Sequence, residues 1–512
     1  MTKWIAAFFL CIFPGVSVLL GERFSVVVFN VENLFDADGV ALYEDYRPPE
    51  EGGNYTPRHL ATKLTNIVET LRLFDRGRGP DIVLFQEIEA DRTPNLWHGD
   101  LVRFLTDHTG TSVQELLGDG WDGSLRGVPA YAWLFKAVAD ALPREYFMAV
   151  GEYRREGEPV PAIVNVTLSR FPITEQRTHQ SPQARGTLET KLDVSGHPLR
   201  VFNAHWKSGA SNAEMEVIRL ENARVVRERL DEIFREDPHA DVILGGDFNS
   251  QYNQRARFPD MRRTALNDVL GSQGDVLALR RENGPDLYNL WFELPPERRG
   301  SDIFRGNWGT LMQIILSRGL YDYRGVQYVP GSFRAAAVPG MNADPVTGLP
   351  VRWTFAGEAG AGFSDHFPIF AWFKVVEDDA PKRWVSLDNP SRDADGPTEP
   401  VPIDFAGARL DLAPSANEIA DRQPLQGPDW VGRALRVEAV VSGEQPFRVK
   451  VGEEEFHIWS FDGELRQRIY SEYAPGDRIE FVGELGRHRG NWQFVIQHES
   501  WLKTKQPAAA RR

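Results

Sequence analysis

Three polar pairs and two isolated sites carry the chemistry this sequence offers. The pairs are Asn30 with Glu32 in "FNVENLFD", Asn203 with His205 in "FNAHWKSG", and Asp247 with Asn249 in "GGDFNS". Glu87 closes "DIVLFQE", and Asp365-His366 sits in "SDHFPIF". Members of each pair are two apart, and in an extended chain such residues share a face. One pair alone is ordinary turn chemistry, because Gly, Asp and Asn are turn formers. Repeated at the ends of several apolar runs, the pairs would gather acids, amides and imidazoles along one sheet edge. Acids crowded in this way cannot stay buried without a cation.

The elements that must position these residues are legible as periodic patterns. "RFSVVVFN", "DIVLFQEIE", "LRVFNAHW" and "DVIL" are apolar and β-branched enough for buried strands. Thr56 and Pro57 open a helix as N-cap and first residue, with Leu60, Leu64, Ile67, Leu71 and Phe74 as its apolar stripe. A second helix is expected after "SNAE", with Ser211 as N-cap, Glu214 as its capping-box partner, and Val217, Ile218, Val225, Leu230 and Ile233 inward. Alternating strands and helices predict an α/β layered domain.

At 512 residues the chain suggests two or three domains. Its formal net charge of -15 excludes general attraction to nucleic acid or anionic membranes, so phosphate must be met by local arginines or a bound cation. Residues 1–20 read as a signal peptide, with Lys3 before an apolar run and a small-x-small site at Gly15-Val16-Ser17. A secreted or periplasmic protein with no membrane span in its mature chain is expected, and an uncleaved anchor is the alternative. The one cysteine, Cys11, lies in that segment, so no disulfide is expected after processing.

The alternating strand and helix pattern runs over 22–375, and an Asp- and Pro-rich linker follows at 376–405. Residues 406–505 then show three short strands, a helical stretch and two more strands, an order that resembles an OB-fold barrel. Residues 421–512 hold fourteen Lys and Arg against fourteen Asp and Glu, so the negative charge falls on the remainder. The loop "GRHRG" at 486–490 stands where an OB-fold contacts oligonucleotides, though a solvated hairpin tip reads equally well. A chain cut near Pro400 is expected to keep the preceding α/β domain folded and, if the barrel binds nucleic acid, to lose affinity for long polymers alone.

The ordered motifs "FNVENLFD", "DIVLFQEIE", "LSRFPI", "FNAHWKSG", "GGDFNS" and "SDHFPIF" resemble the endonuclease/exonuclease/phosphatase superfamily. That resemblance implies a four-layered α/β sandwich of DNase I-like type, followed here by the small all-β barrel. It implies Mg2+ or Mn2+ held by Glu87 and Asn30, with Asp365 as a second metal contact or an orienter. Asp247 would position or deprotonate water, Asn249 would steady it and a phosphate oxygen, and His205 and His366 would contact phosphate oxygens or donate a proton. Asn203 and Arg185 are expected to contact substrate. One position departs from the family pattern: the strand that usually reads Leu-Asp-x-Ile has Met312 in place of its aspartate. His366 would thereby lose an orienting carboxylate, with Asp302 as a substitute on the preceding segment. A weakened enzyme is expected, and Met312→Asp is expected to raise kcat by roughly ten- to a hundredfold.

The implied function is a monomeric, metal-dependent phosphodiesterase, most simply an endonuclease acting on nucleic acid. A sphingomyelinase-like phospholipid phosphodiesterase is the second reading, for which Trp97, Trp121, Tyr131, Trp133 and Phe135 would serve as membrane-seeking loops. The third is a superfamily scaffold kept for binding, with little or no activity.

Overall fold

The computed structural model describes residues 23–503 apart from 98–99, 120, 154–160, 182, 282–285, 356, 377–382, 391–398 and 489. The expected signal peptide and part of the expected linker therefore lie outside the described residues, as does position 489 of the basic loop.

Two sheets stack face to face. In the first, Arg23–Leu34 is central, pairing parallel with Ile82–Glu89 and antiparallel with Ile369–Val376. Ile163–Ser169 continues the sheet beyond Ile82–Glu89. In the second, His197–His205 pairs parallel with Val242–Asp247, which pairs antiparallel with Met312–Ser317. The layering follows from strand alternation. Val26 and Val28 point inward with Leu84, Ile243 and Ile314 to form the core between the sheets. Val27 and Phe29 point outward against Leu60, Leu64, Ile67 and Leu71 of the helix Pro57–Leu71. Phe202, Val242 and Leu244 turn outward on the other side, against Ala223, Val226, Leu230 and Ile233 of the helix Ala213–Glu236. Helices, sheet, sheet and helix make the four layers of a DNase I-like sandwich. Each fully buried leucine or isoleucine in these layers contributes about 2 kcal/mol relative to exposure.

Thr56 caps the first helix as expected, accepting from the His59 N–H, and Pro57 opens it. Phe74 is buried but lies beyond the helix end. The second helix departs from its expected phase. Its cap is Asn212, whose side chain accepts from the N–H groups of Glu214 and Met215, and Val217 is exposed. The inward face of its opening turns holds Glu216, Arg219 and Asn222 instead. Glu216 accepts from the Ala265 N–H at 2.6 Å, and Arg219 donates to the carbonyls of Lys207 and Gly209. These bonds tie down the loop that follows His205, and a polar triad therefore displaces the apolar stripe there.

At the C-terminus, strands Ala434–Glu444, Phe447–Val451, Glu454–Trp459, Asn491–Val495 and Arg478–His488 close into a barrel. Gly463–Glu472 forms the helix between its third and fourth strands in sequence. The described linker residues are packed against the sandwich. Val385 is buried and donates to the Tyr321 carbonyl, and Val401–Pro402 pairs with Asn307–Gly309, itself hairpinned to Asp302–Phe304.

Candidate active site

The strand ends of both sheets meet along one edge. Register places His205 opposite Asp247, with Asp247 in turn opposite Met312, and Asn30 opposite Gln86 in the other sheet. Asn30 bridges the sheets: its Nδ2 donates to Glu87 Oε1 at 3.0 Å and to Asp247 Oδ2 at 3.1 Å. Asp247 also accepts from the Asn249 N–H at 2.9 Å.

Strand alternation alone does not produce this convergence. Glu32, Glu87 and Asn249 all have positive φ, at 51°, 67° and 47°. Non-glycine residues occupy that region at a cost of about 1 kcal/mol or more, and such strain concentrates at functional sites. The register between the first two strands shifts past Asn30, so Glu32 leaves the line that alternation predicts. Its carboxylate instead accepts from the Trp353 N–H at 2.8 Å and pairs with Arg352 at 3.2 Å. Two glycines serve the "GGDFN" turn. At Gly245 a Cβ would stand 2.6 Å from Leu84 Cδ1, and at Gly246, φ 152°, it would stand 2.0 Å from the Ala204 carbonyl oxygen.

One ligand atom each from Glu87, His205 and Asp247 lie within 4.8 Å of one another. Burial and the neighbouring Asp365 push the Glu87 carboxyl upward, more than the Asn30 hydrogen bond and the charges of His366 and Arg185 pull it down. Oxygen-rich donors with one imidazole fit a hard divalent cation, and Asn30 is placed to add its amide oxygen, which here accepts from the Glu32 N–H. Asp365, expected among the metal ligands, lies outside that group. It is a third exposed and faces His366 Nε2 at 3.7 Å and Arg352 at 3.5 Å.

The two histidines are driven in opposite directions. Burial, then the charges of Arg185 and His366, hold His205 well below the usual histidine range. Its Nε2 lies 3.1 Å from Arg185 Nη2, so it accepts as a neutral ring. For His366 burial also lowers the pKa, but the carboxylates of Asp365, Asp247, Asp302 and Glu87 outweigh it and carry the ring to about 9. His366 is the charged histidine at neutral pH. Its Nε2 is 3.9 Å from Asp247 Oδ2, and its backbone N–H donates to Ser364 Oγ, which donates to the Asn30 carbonyl.

Arg185 reaches the site, donating also to the Trp206 carbonyl. Asn249 lies beside it, its Nδ2 donating to the same carbonyl at 3.1 Å. Asn203 does not reach the site: it is fully buried, with Nδ2 donating to the carbonyls of Phe85 and Val166 and Oδ1 accepting from Gln86. Its amide is spent joining the two sheets, so the expected substrate contact is corrected to a structural one. Met312 is fully buried in the core between the sheets. Asp302 pairs with His366 through the backbone and places its carboxylate where it acts on the ring, packed against Gly309, where any Cβ would clash with it.

Lys63 was missed in the sequence. It lies among the inward residues of the first helix, and its Nζ donates to the Glu32 carbonyl at 2.7 Å and sits 4.6 Å from the Trp353 ring. Burial lowers its ammonium to about 8 against the pull of Glu32, Glu87 and Asp365. A lysine on an otherwise apolar helical face was the available signal.

Residues 161–375 match the model of the Endonuclease/Exonuclease/phosphatase family, which bears out the resemblance over a segment holding Arg185, His205, Asp247, Asn249, Asp365 and His366. Asn30 and Glu87 precede it. No curated protein matches the chain. Similar solved structures include a truncated Caenorhabditis elegans TDP2, 14% identical over 69% of this chain and 97% of that one, with a TM-score of 0.37. D. rerio TDP2 complexed with single-strand DNA product is 15% identical over 69% and 99%, at 0.38. Sphingomyelinase C from Streptomyces griseocarneus is 14% identical over 69% and 99%, also at 0.38.

Proposed function

We propose that this chain is an exported, divalent-metal-dependent phosphodiesterase whose substrate is nucleic acid. The observation that carries the reading is the meeting, at one edge, of a buried and a half-buried carboxylate with one neutral and one protonated histidine. Glu87 and Asp247 would hold Mg2+ or Mn2+ with Asn30, and the ion would supply Lewis-acid stabilisation of the phosphoryl oxygens. Asp247, aligned by Asn30 and the Asn249 N–H, orients the attacking water and takes its proton. Arg185 and Asn249 bind phosphate oxygens. Charged His366 stabilises the negative charge that grows in the in-line transition state and supplies the proton for the leaving oxygen.

Nucleic acid is favoured by the barrel. Trp459 and Phe461 are exposed there, and Arg466 lies 4.3 Å over the Trp459 ring, the stacking and cationic surface that suits single-stranded bases. The aromatics that a lipid enzyme would expose are packed inward: Trp133 is fully buried, and Trp97, Trp121, Tyr131 and Phe135 lie against the first core. No described helix is long and apolar enough to cross a membrane.

Incubation with DNA, RNA, sphingomyelin and inositol phosphates, with Mg2+ or Mn2+ and with excess chelator, tests the reading. Cleavage of nucleic acid that chelator abolishes is expected. Activity on lipid alone would end the nucleic-acid assignment, and full activity in chelator would end the metal assignment.

A further inference from the structure

The hairpin that brings Asp302 to His366 carries more than that carboxylate. Its strands, Asp302–Phe304 and Asn307–Gly309, are joined by Arg305 and Gly306, with φ of 49° and 77°. Two positive-φ positions in a two-residue loop suit Asn and Gly, so an arginine in the first of them is strained. The turn is pinned on both sides. Asn307 Nδ2 donates to the Arg305 carbonyl at 3.0 Å, and the Ile403 N–H donates to the Gly306 carbonyl at 2.9 Å. Arg305 folds its guanidinium over the Phe304 ring, 5.0 Å from the centroid, and Phe304 is 57% exposed.

Strand alternation fixes which way this pair faces. Asp302 and Phe304 are two apart and share a face, and Asp302 is bridged to His366. Ile303 and Trp308 take the other face, where Trp308 lies against Gly300 and Phe367. Phe304 therefore stands on the His366 side of the hairpin, about 7 Å along the strand from Asp302. A lone exposed aromatic is ordinary on a soluble protein. This one is set beside the histidine that serves the leaving oxygen, and a cation in a strained turn covers its ring.

The nearby charge points to what the tip meets. Arg257 donates to Gln251 Oε1 at 3.3 Å, the oxygen that also accepts from the Thr310 N–H at the foot of the hairpin. Arg257 feels Asp302 and Glu399 only as neighbouring charges, and among the described residues neither Arg257 nor Arg305 forms an ion pair. In a chain of net charge -15, two arginines without a carboxylate salt bridge at the catalytic edge suit phosphate.

We propose that Phe304 and Arg305 bind the nucleotide on the leaving-group side of the scissile phosphate, with its base stacked on the Phe304 ring and its next phosphate met by Arg305. The inference rests on the proposed nucleic-acid function and adds to it a contact beside the cleaved bond, distinct from Trp459 and Phe461 of the barrel. An aromatic face accepts any base, so the contact would favour single strands without reading their sequence.

The test compares the full chain with Phe304→Ala and Phe304→Trp on thymidylyl-thymidine and on two analogues, each lacking the base on one side of the bond, in Mg2+ or Mn2+. The loss of kcat/KM caused by Phe304→Ala should be at least about fivefold larger on the intact compound than on the analogue missing the leaving-side base, and Phe304→Trp should restore the rate. Equal losses on all three compounds would mean a structural role, and no loss on any would remove Phe304 from the substrate; either result overturns the proposal. Arg305→Asn relaxes the turn, so its thermal midpoint should be no lower than the parent's, while the slope of log KM against log salt on oligothymidylate should shrink by about 0.7, one phosphate contact fewer. An unchanged slope would overturn the phosphate contact. Flotation of the parent chain on anionic vesicles, lost in Phe304→Ala with no change on the nucleotides, would give the tip to a lipid surface instead. A parent chain that cleaves neither thymidylyl-thymidine nor longer single strands fails the function itself, before any variant is compared, and both readings fall.

Discussion

His205 and His366 occupy one edge and hold opposite charge states, and that difference assigns their work. Because the folded pKa of His366 is raised, its charge is fully present below about 6.5, the free-histidine value, and is lost as pH rises through about 9. Phosphodiester hydrolysis should therefore persist to mildly alkaline pH and fall at or below about 9, since a cation held by Glu87 and Asp247 offsets part of their pull on the ring, as a pH profile of kcat would show. Asp302→Asn removes one of the carboxylates that sustain that charge, so the alkaline limb should move to lower pH and kcat should fall roughly ten- to a hundredfold. A limb that stays in place would remove Asp302 from the positioning of His366. The gain expected from Met312→Asp has its opening in His366 Nδ1, which is buried with no hydrogen-bond partner among the described residues, because Asp302 acts on the ring only as a nearby charge while its Oδ1 accepts from the Leu311 N–H. Against the gain stands the repulsion a new acid would meet opposite Asp247 in a dry core. The sequence showed the acids and histidines because each borders an apolar run, Glu87, His205 and Asp247 at its end and Asp365 and His366 at its start. It hid the inward turn of Asn203, which depends on which strands become neighbours, while Asp302 could be named from the sequence only as a candidate on the segment before Met312.

The elements were legible where a single period decides them and illegible where a tertiary bond overrides it. The apolar strand runs and the Thr56-Pro57 helix start follow from local chemistry. The phase of the Ala213–Glu236 helix does not, because Glu216 and Arg219 are bound to a distant amide and to loop carbonyls. The same distinction applies to "GGDFN". Its two glycines look like generic turn formers, yet Gly246 has a φ only glycine tolerates and lies against the neighbouring strand's backbone, which cannot yield. Gly246→Ala should destabilise the sandwich by about 3 kcal/mol. Gly245→Ala meets the flexible tip of Leu84 and should cost about 1–2 kcal/mol. Urea titration of the two variants checks the order, and equal losses would mean that the close approach of the two sheets matters as much as backbone conformation.

At the scale of the whole chain, the expected linker turns out to be part of the site's support. Val401–Pro402 adds a strand to Asn307–Gly309, and the Ile403 N–H donates to the Gly306 carbonyl at 2.9 Å. That hairpin presents Asp302 to His366. The barrel touches a different support: Val346 packs into its core, and its half-buried Glu484 acts on Arg352, which also pairs with Glu32 and Asp365. Composition marked residues 376–405 as a linker because Asp and Pro show no apolar period, and a short edge pairing leaves no such period to find. Two truncations separate these contributions. A chain ending at Asp404 keeps the hairpin's added strand and loses the barrel, so it should retain kcat on a small phosphodiester within about threefold while its KM on long single strands rises at least about tenfold. A chain ending at Pro400 loses the added strand as well, and its kcat on the small ester should drop further, about tenfold, with the alkaline limb displaced as in Asp302→Asn. Both expose Val346 equally, so instability from that surface cancels in the comparison. Equal kcat for the two chains would mean that the hairpin holds Asp302 without help from the linker, and an unchanged KM on long strands in the chain ending at Asp404 would remove the barrel from substrate binding.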